Sequence, residues 1–418
     1  MVITDFDELY GLEIPDGWTV EKLDPKVGNV KSGKRLPKGY YVVDTHTNHP
    51  YIRVIDMRQG YVDTSDLRYV PEEAFTAIQN YRIYKDDIYI SVAGTLGIVG
   101  QIPEHLDGAN LTENANRVTN IKCNIKYLMY WLMGSIIQNT ISQTQTLGAQ
   151  PKLALTRIRN FPVILPPEKE QEKIAGALSD VDALIADLQK LIRKKQDIRQ
   201  GTMQMLVTGK NRLDGFTGNW ITKPLEKLCD LITDGSHESP SEYLDGFYMP
   251  SVKDMTDSGF DFSDCKRISK ADYERLVANG CKPEIGDVLI AKDGSMLKYV
   301  FPVKENRNIV ILSSIAILRP KKNMLSSSYL TYYFRQPCFV EQVIQSNQTG
   351  TGVPRIVLKN IKKIELCIPE KLNEQEAIAD ILSDMDIDIW TLEKKLKKLM
   401  EIKQGMMEEL LTGKVRLV

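Results

Sequence analysis

Histidine is scarce in this chain. His46, His49, His105 and His237 are the only four in 418 residues, too dispersed to nominate a metal or acid–base site. Cysteine is no more helpful: six residues are scattered with no C-x-x-C, which argues against structural zinc and for a reducing compartment. Charge of one sign is not in excess either. The formal net charge is −1, so composition alone points to neither nucleic acid nor membrane, although a local basic patch acts independently of the sum. Long apolar runs and a signal peptide are missing, and the expected location is cytoplasmic. No glycine fingerprint follows a strand and no P-loop spacing occurs; Gly94-Thr95-Leu96-Gly97 reads as a turn. What remains is 42% hydrophobic content, enough for two ordinary domains with real cores plus a helical element.

The chain is organised around a repeat. Glu170–Leu213 returns at Glu374–Leu417 with a constant shift of 204 residues, and 23 of 44 positions are identical. Shared positions include Gln171-Glu172 with Gln375-Glu376, Gln200-Gly201 with Gln404-Gly405, and Thr208-Gly209-Lys210 with Thr412-Gly413-Lys414. Apolar residues step by four and three through Ile174, Leu178, Val181, Ile185, Leu188 and Ile192. The second copy repeats the steps through Ile378, Leu382, Met385, Ile389, Leu392 and Leu396. Such a seam asks for a partner helix. Helices of about 35 residues would each be roughly 50 Å long. Two equal rods in one chain most simply pair as an antiparallel coiled coil; the alternative is two amphipathic helices, each lying on its own domain.

The segments before each helix also match in plan. Both halves open alike, at Trp18 and at Trp220. Strand patterns follow at Tyr40-Tyr41-Val42-Val43, Tyr51-Ile52-Arg53-Val54-Ile55 and Asp87-Ile88-Tyr89-Ile90-Ser91-Val92, with Gly286-Asp287-Val288-Leu289-Ile290-Ala291 matching the last. Further β-like stretches at 116–121 and 314–318 each precede an aromatic helical piece, at 127–132 and 329–334. The expected fold class is α+β: two mainly β domains separated by two long helices that form an antiparallel coiled coil, with a pseudo-twofold internal repeat. Each domain ends in a polar, glycine-containing loop, at 142–152 and 345–355. Amide and hydroxyl groups there supply donors and acceptors, and glycine admits close backbone approach, as phosphates and base edges require. The alternative for each is a solvated surface loop.

This arrangement resembles the DNA specificity subunit of bacterial type I restriction–modification systems. The resemblance rests on the two β-rich segments, the repeated Gln171-Glu172-Lys173-Ile174-Ala175 and Gln375-Glu376-Ala377-Ile378-Ala379, and the repeated Thr-Gly-Lys endings. It implies target recognition domains at 1–165 and 214–368, and helical spacers at 166–213 and 369–418. Each domain would read one half of a split, asymmetric sequence in double-stranded DNA. The helices would set the gap and dock two modification (methyltransferase) subunits, with separate restriction/translocase subunits beyond them. S-adenosylmethionine, ATP and Mg2+ would belong to those partners, and the chain itself would hold no cofactor and catalyse nothing. Leu165-Pro166-Pro167-Glu168 is the nearest approach to an adenine methyltransferase motif, and it reads as a helix entry.

Basic candidates for DNA contact are Lys34, Arg35, Arg53, Arg58, Lys152 and Arg157 in the first domain, and Lys253, Lys292, Lys298 and Arg355 in the second. Polar candidates are Gln143, Thr144, Gln145, Asn347 and Gln348. A plain solvated charge is the alternative for each cation. Helix surfaces made for partners are compatible with a homo-oligomer of the isolated chain. Two other readings stand beside this one: the recognition subunit of a related bipartite-site type II system, and a structural adaptor that binds no DNA.

Overall fold

Apolar runs between turn residues become short strands here, and the four-and-three apolar spacing becomes long helix. The computed structural model describes residues 13–143, 152–294, 296–347 and 355–417, with the side chain of Asn347 outside the description. The chain divides into two units, residues 1–189 with 395–418, and residues 190–394.

In the first unit the strands are β1 (Thr19–Lys22), β2 (Asn29–Ser32), β3 (Pro50–Ile52) and β4 (Arg68–Tyr69), followed by helix α1 (Glu72–Ile78). Then come β5 (Arg82–Ile83), β6 (Ile88–Ser91), β7 (Val99–Gly100), β8 (Ala109–Leu111) and β9 (Ala115–Thr119). Helices α2 (Ile125–Met133), α3 (Ser135–Ser142) and α4 (Leu155–Arg159) lead through β10 (Pro162–Leu165) into α5 (Glu168–Val207). The strands form an antiparallel sheet β2-β9-β6-β7, a second sheet β4-β3-β8-β5 with β3 and β8 parallel, and the pair β1-β10.

The second unit repeats the plan. It has β11 (Trp220–Pro224), α6 (Leu225–Leu228), β12 (Cys229–Asp234), β13 (Phe247–Tyr248), β14 (Arg267–Ile268) and α7 (Lys270–Ala278). It continues with β15 (Val288–Ala291), β16 (Val300–Pro302), β17 (Ile315–Pro320), α8 (Ser327–Phe334), α9 (Pro337–Asn347) and α10 (Leu358–Lys363). It closes with β18 (Glu365–Pro369) and α11 (Leu372–Leu411). The sheet β12-β17-β15-β16 and the pair β11-β18 have the order of their counterparts, whereas the third sheet shrinks to β13-β14. Tyr40–Val43 is not a strand: only Val43 bridges, to Tyr69. Tyr40 and Tyr41 lie exposed there, so aromatic propensity has no neighbouring strand to act against. Tyr51–Ile55 pairs as a strand only to Ile52 and, after Arg53, bends into a 3-10 turn, Val54–Asp56.

Cores form where a helix covers one sheet face. In the first unit Val30, Ile88, Ile90 and Val118 pack with Tyr127, Leu128 and Trp131 of α2. Ile174 and Leu178 of α5 and Met407, Leu410 and Leu411 of α11 complete that core. In the second unit Val288, Ile290 and Leu318 pack with Tyr329 and Leu330, and Ile378 and Leu382 of α11 join Met203, Leu206 and Val207 of α5. Each fully buried side chain of this size contributes about 1.5–3 kcal/mol.

Both long helices are 40 residues, about 60 Å at the usual rise. Their pairing is antiparallel within each unit. In the first, Arg416 meets Glu170 at 2.7 Å and Lys403 meets Asp182 at 2.6 Å. In the second, Arg212 meets Glu374 at 2.8 Å, Arg199 meets Asp386 at 2.8 Å and Lys195 meets Asp388 at 2.8 Å. Going up one helix means going down the other in both sets. Of the remaining seam residues, Val181, Leu188, Ile192 and Ile389 are buried, and Ile185, Met385, Leu392 and Leu396 are half-buried.

The repeated residues fix the helix ends. Gln171 accepts from the Asn124 amide and donates to the Pro166 carbonyl, and Gln375 does the same with Ser326 and Pro369. Glu170 and Glu374 each accept from an indole, Trp18 at 3.1 Å and Trp220 at 3.4 Å, as well as from the arginine. Gly209 and Gly413 end the helices at φ +70° and +75°, where the Asn211 and Val415 amides reach back to Met205 and Glu409. Space is tight at both: a Cβ on Gly209 would lie 3.1 Å from the Trp220 ring, and one on Gly413 would overlap Pro15.

Candidate nucleic-acid interface

Strand connections gather at one end of the matching sheets β2-β9-β6-β7 and β12-β17-β15-β16. In the first unit β2 runs into Lys34 and Arg35, whose backbone is held by the Lys34 amide donating to the Leu111 carbonyl and by Tyr51 Oη donating to Lys34 O at 3.0 Å. The turn after β6 docks on the β8–β9 connection that also carries Glu113, because the Val92 and Ala93 amides both donate to Asn114 O. Lys152 bridges Ala93 and so stands at this end. Lys34, Arg35 and Lys152 are all exposed there. Arg35 Nε lies 2.6 Å from Glu113 Oε1, and that bond raises the guanidinium above its ordinary value. Burial pushes the Glu113 carboxyl up, but Arg35 and Thr112 outweigh it and hold the group below the ordinary range. Gln143 and Arg157 are exposed.

The second unit builds the same end from different residues. The Lys292 and Asp293 amides donate to Ser314 O, the Ile356 amide donates to Lys292 O, and Arg355 bridges Asp293. Lys298 and Arg355 are exposed. Lys292 is turned inward: its Nζ lies 3.3 Å from Asp234 Oδ2 and 3.3 Å from Asp293 Oδ2, and the residue is 7% exposed. His237 stands at this end too, 3.4 Å from Asp234.

Arg53 and Arg58 serve a tight turn. Arg53 Nη2 is 2.6 Å from Asp56 and 3.2 Å from Asp66, while Arg58 donates to Ile55 O and Met57 O and pairs with Asp63 at 3.0 Å. Lys253 holds the corresponding turn by donating to Asp264 O at 3.2 Å. Thr144, Gln145 and Gln348 lie outside the described residues, and Asn347 closes α9. Sequence reasoning passes over Glu113, Asn114, Ser314 and His237, which carry no local signal and acquire a place only through sheet register. It also passes over the Trp18–Glu170–Arg416 cluster, whose signal is the arginine repeated at 212 and 416.

Exposed cations on backbone-braced turns suit phosphate contact, and the neighbouring polar groups suit base edges. Among the described residues no group of three His, Cys, Asp or Glu side chains is gathered as a metal site, and no helix is long and apolar enough to cross a membrane.

The family model for the type I restriction modification DNA specificity domain matches residues 15–200 and again 219–404. The chain belongs to that family. The type I restriction enzyme MjaVIII specificity subunit of Methanocaldococcus jannaschii is 23% identical, over 99% of this chain and 96% of the relative. The EcoKI specificity subunit of Escherichia coli is 21% identical, over 92% and 85%. The crystal structure of the S subunit from M. genitalium superposes with a TM-score of 0.56 at 15% identity, over 96% of this chain and 98% of the other, which supports the fold. As a type I specificity subunit the chain recognises DNA targets for partner methyltransferase and restriction subunits in a multi-subunit complex, and is not itself catalytic. The adaptor alternative is set aside by this membership.

Proposed function

We propose that the two units read the two halves of a split, asymmetric DNA target, with recognition domains at 1–165 and 214–368 and the helical spacers at 166–213 and 369–418. The observation that carries this is the repeated sheet end: the same strand order presents Lys152 and Arg355 at matching bridges but places its other exposed cations on different loops, Lys34 and Arg35 after β2 in one unit and Lys298 after β15 in the other. Equal frames with unlike surfaces suit unlike half-sites. Lys292 braces the sheet-end turn after β15 and Arg53 and Arg58 brace the turn that follows β3, while the exposed lysines meet phosphates. Gln143, Thr144, Gln145, Asn347 and Gln348 belong to the closing loops that complete each reading surface.

The two 40-residue helices set the gap between half-sites and dock two modification subunits. Those subunits carry S-adenosylmethionine and methylate adenine after it leaves the stack. Restriction/translocase subunits, with ATP and Mg2+, complete the assembly. Adenine methylation mapped across the genome of cells with this chain and its modification partner, against cells lacking only this chain, tests the reading. A split motif with a fixed gap that vanishes on deletion is expected; unchanged methylation with the complex assembled would refute it.

A further inference from the structure

Each unit places a short loop beside the edge strand of its four-stranded sheet, and the two loops differ in how they meet it. In the first unit Gly60 bridges Gly100 on β7, and the Gly60 amide donates to Val99 O at 2.8 Å. Tyr89 Oη, on β6, donates to the carbonyls of Arg58, at 2.7 Å, and Tyr61. The space is closed: a Cβ on Gly100 would overlap the Tyr89 hydroxyl.

In the second unit the cross-strand partners Tyr89 and Gly100 become Leu289 and Phe301. Leu289 has no hydroxyl to tie the loop down, and among the described residues the loop makes no backbone bridge to β16; Arg335 links the two instead, donating to Asp257 O and to Val300 O. What opens is a groove of about 400 Å3 lined by Phe260, Phe262, Phe301, Lys304 and Arg307. Phe260 meets Phe301 edge-on with centroids 5.1 Å apart. The Arg307 guanidinium lies 5.1 Å from the Phe262 ring centre and is held by Glu305 at 2.6 Å. Tyr248 flanks Phe262 at 4.8 Å and carries Arg267 at 4.7 Å. The half-buried Phe260 and Phe262 rings, with buried Phe301 behind them and exposed Lys304 and Arg307 beside them, form an apolar slot with a cationic rim.

We infer that this groove takes one unstacked nucleobase of a DNA strand, stacked on Phe262, with Lys304 and Arg307 toward its phosphate. The choice of ligand rests on the chain's role as a DNA reader. Aromatic faces give sequence-tolerant stacking, a guanidinium beside a ring extends the platform, and the cations account for the strand's charge. In the first unit the Gly60–Gly100 bridge and the Tyr89 hydroxyl take up the place that Phe260, Leu289 and Phe301 line in the second, so the site is assigned to the second unit.

The test uses the purified full chain and a mixed-sequence single-stranded oligodeoxynucleotide carrying 5-iododeoxyuridine, irradiated at low salt, with the adduct mapped by peptide mass spectrometry. An adduct in the peptide holding Phe260 and Phe262 is expected. Phe262→Ala is expected to lose it and to raise the single-strand Kd roughly tenfold, whereas Phe262→Tyr keeps both. Arg307→Ala, which leaves the rings in place, is expected to weaken binding without moving the adduct. Adducts confined to other peptides, no single-strand binding, or an undiminished adduct in a folded Phe262→Ala chain would each overturn the inference. Duplex recognition with the modification partner is followed in the same preparations. Its persistence without the Phe262 adduct sinks this inference alone, and its loss beside a retained adduct sinks the half-site reading alone.

Discussion

Glu170 shows how much one side chain carries in this fold. It is 4% exposed, and it accepts from Trp18, from two nitrogens of Arg416 and from the Leu417 amide. The Arg416 bond is the main reason its carboxyl lies below the ordinary range, with burial opposing. A depressed folded pKa contributes stability above the unfolded value, near about 4.3, and that stability is lost as pH falls through the folded value. Glu170→Gln should cost about 2 kcal/mol in neutral urea unfolding and flatten the acid limb of stability, because the variant has no such proton to take up. Gly413→Ala should cost about 2 kcal/mol through its left-handed φ, with the Pro15 overlap in addition. Lys298→Ala and Arg355→Ala should weaken DNA binding by the assembled complex about equally across sequences. Each should lower the salt slope by roughly one; a change confined to one base position would show base reading instead. The identities at 170 and 374, 171 and 375, and 212 and 416 were legible as repeats, but the indoles that Glu170 and Glu374 accept from and the amides that Gln171 and Gln375 accept from lie outside the repeated segment. Lys292 and Lys298 read alike in sequence, and what distinguishes them is the pairing of Lys292 with Asp234, on a distant strand, and with Asp293.

At the scale of elements, periodicity decided what could be read. The four-and-three steps yielded both long helices and their antiparallel pairing, and apolar runs at 88–91, 288–291 and 315–320 yielded central strands because both faces are covered. Edge segments were less legible, since strand identity at Tyr40–Val43 depends on a partner that local propensity does not supply. The closing loops at 144–151 and 348–354 remain matters of sequence. The seam also leaves a second stripe: Leu191, Ile198 and Met205, spaced by seven in α5, are 42%, 48% and 50% exposed. A heptad-spaced apolar stripe facing water suits a partner helix. Leu191→Lys with Ile198→Lys should leave thermal stability nearly unchanged while reducing capture of the modification subunit at least tenfold in a pull-down titration. Undiminished capture would place the docking surface elsewhere.

For the whole molecule, duplication explains why so much could be read from one chain. The repeat that fixes the frame is also what lets the recognition surfaces diverge: the frame residues are constrained by the Gln, Glu and Gly contacts at the helix ends, and the sheet-end loops are not. The central claim is that the chain reads a split target whose gap its helices set. The most direct measurement is the methylation map of cells carrying a chain with one helical turn, four residues, inserted in both α5 and α11. Four residues add about 6 Å of helix, close to two base-pair steps. The account predicts both half-sites unchanged with the gap longer by one or two base pairs. Methylation of the original motif at its original gap would contradict it.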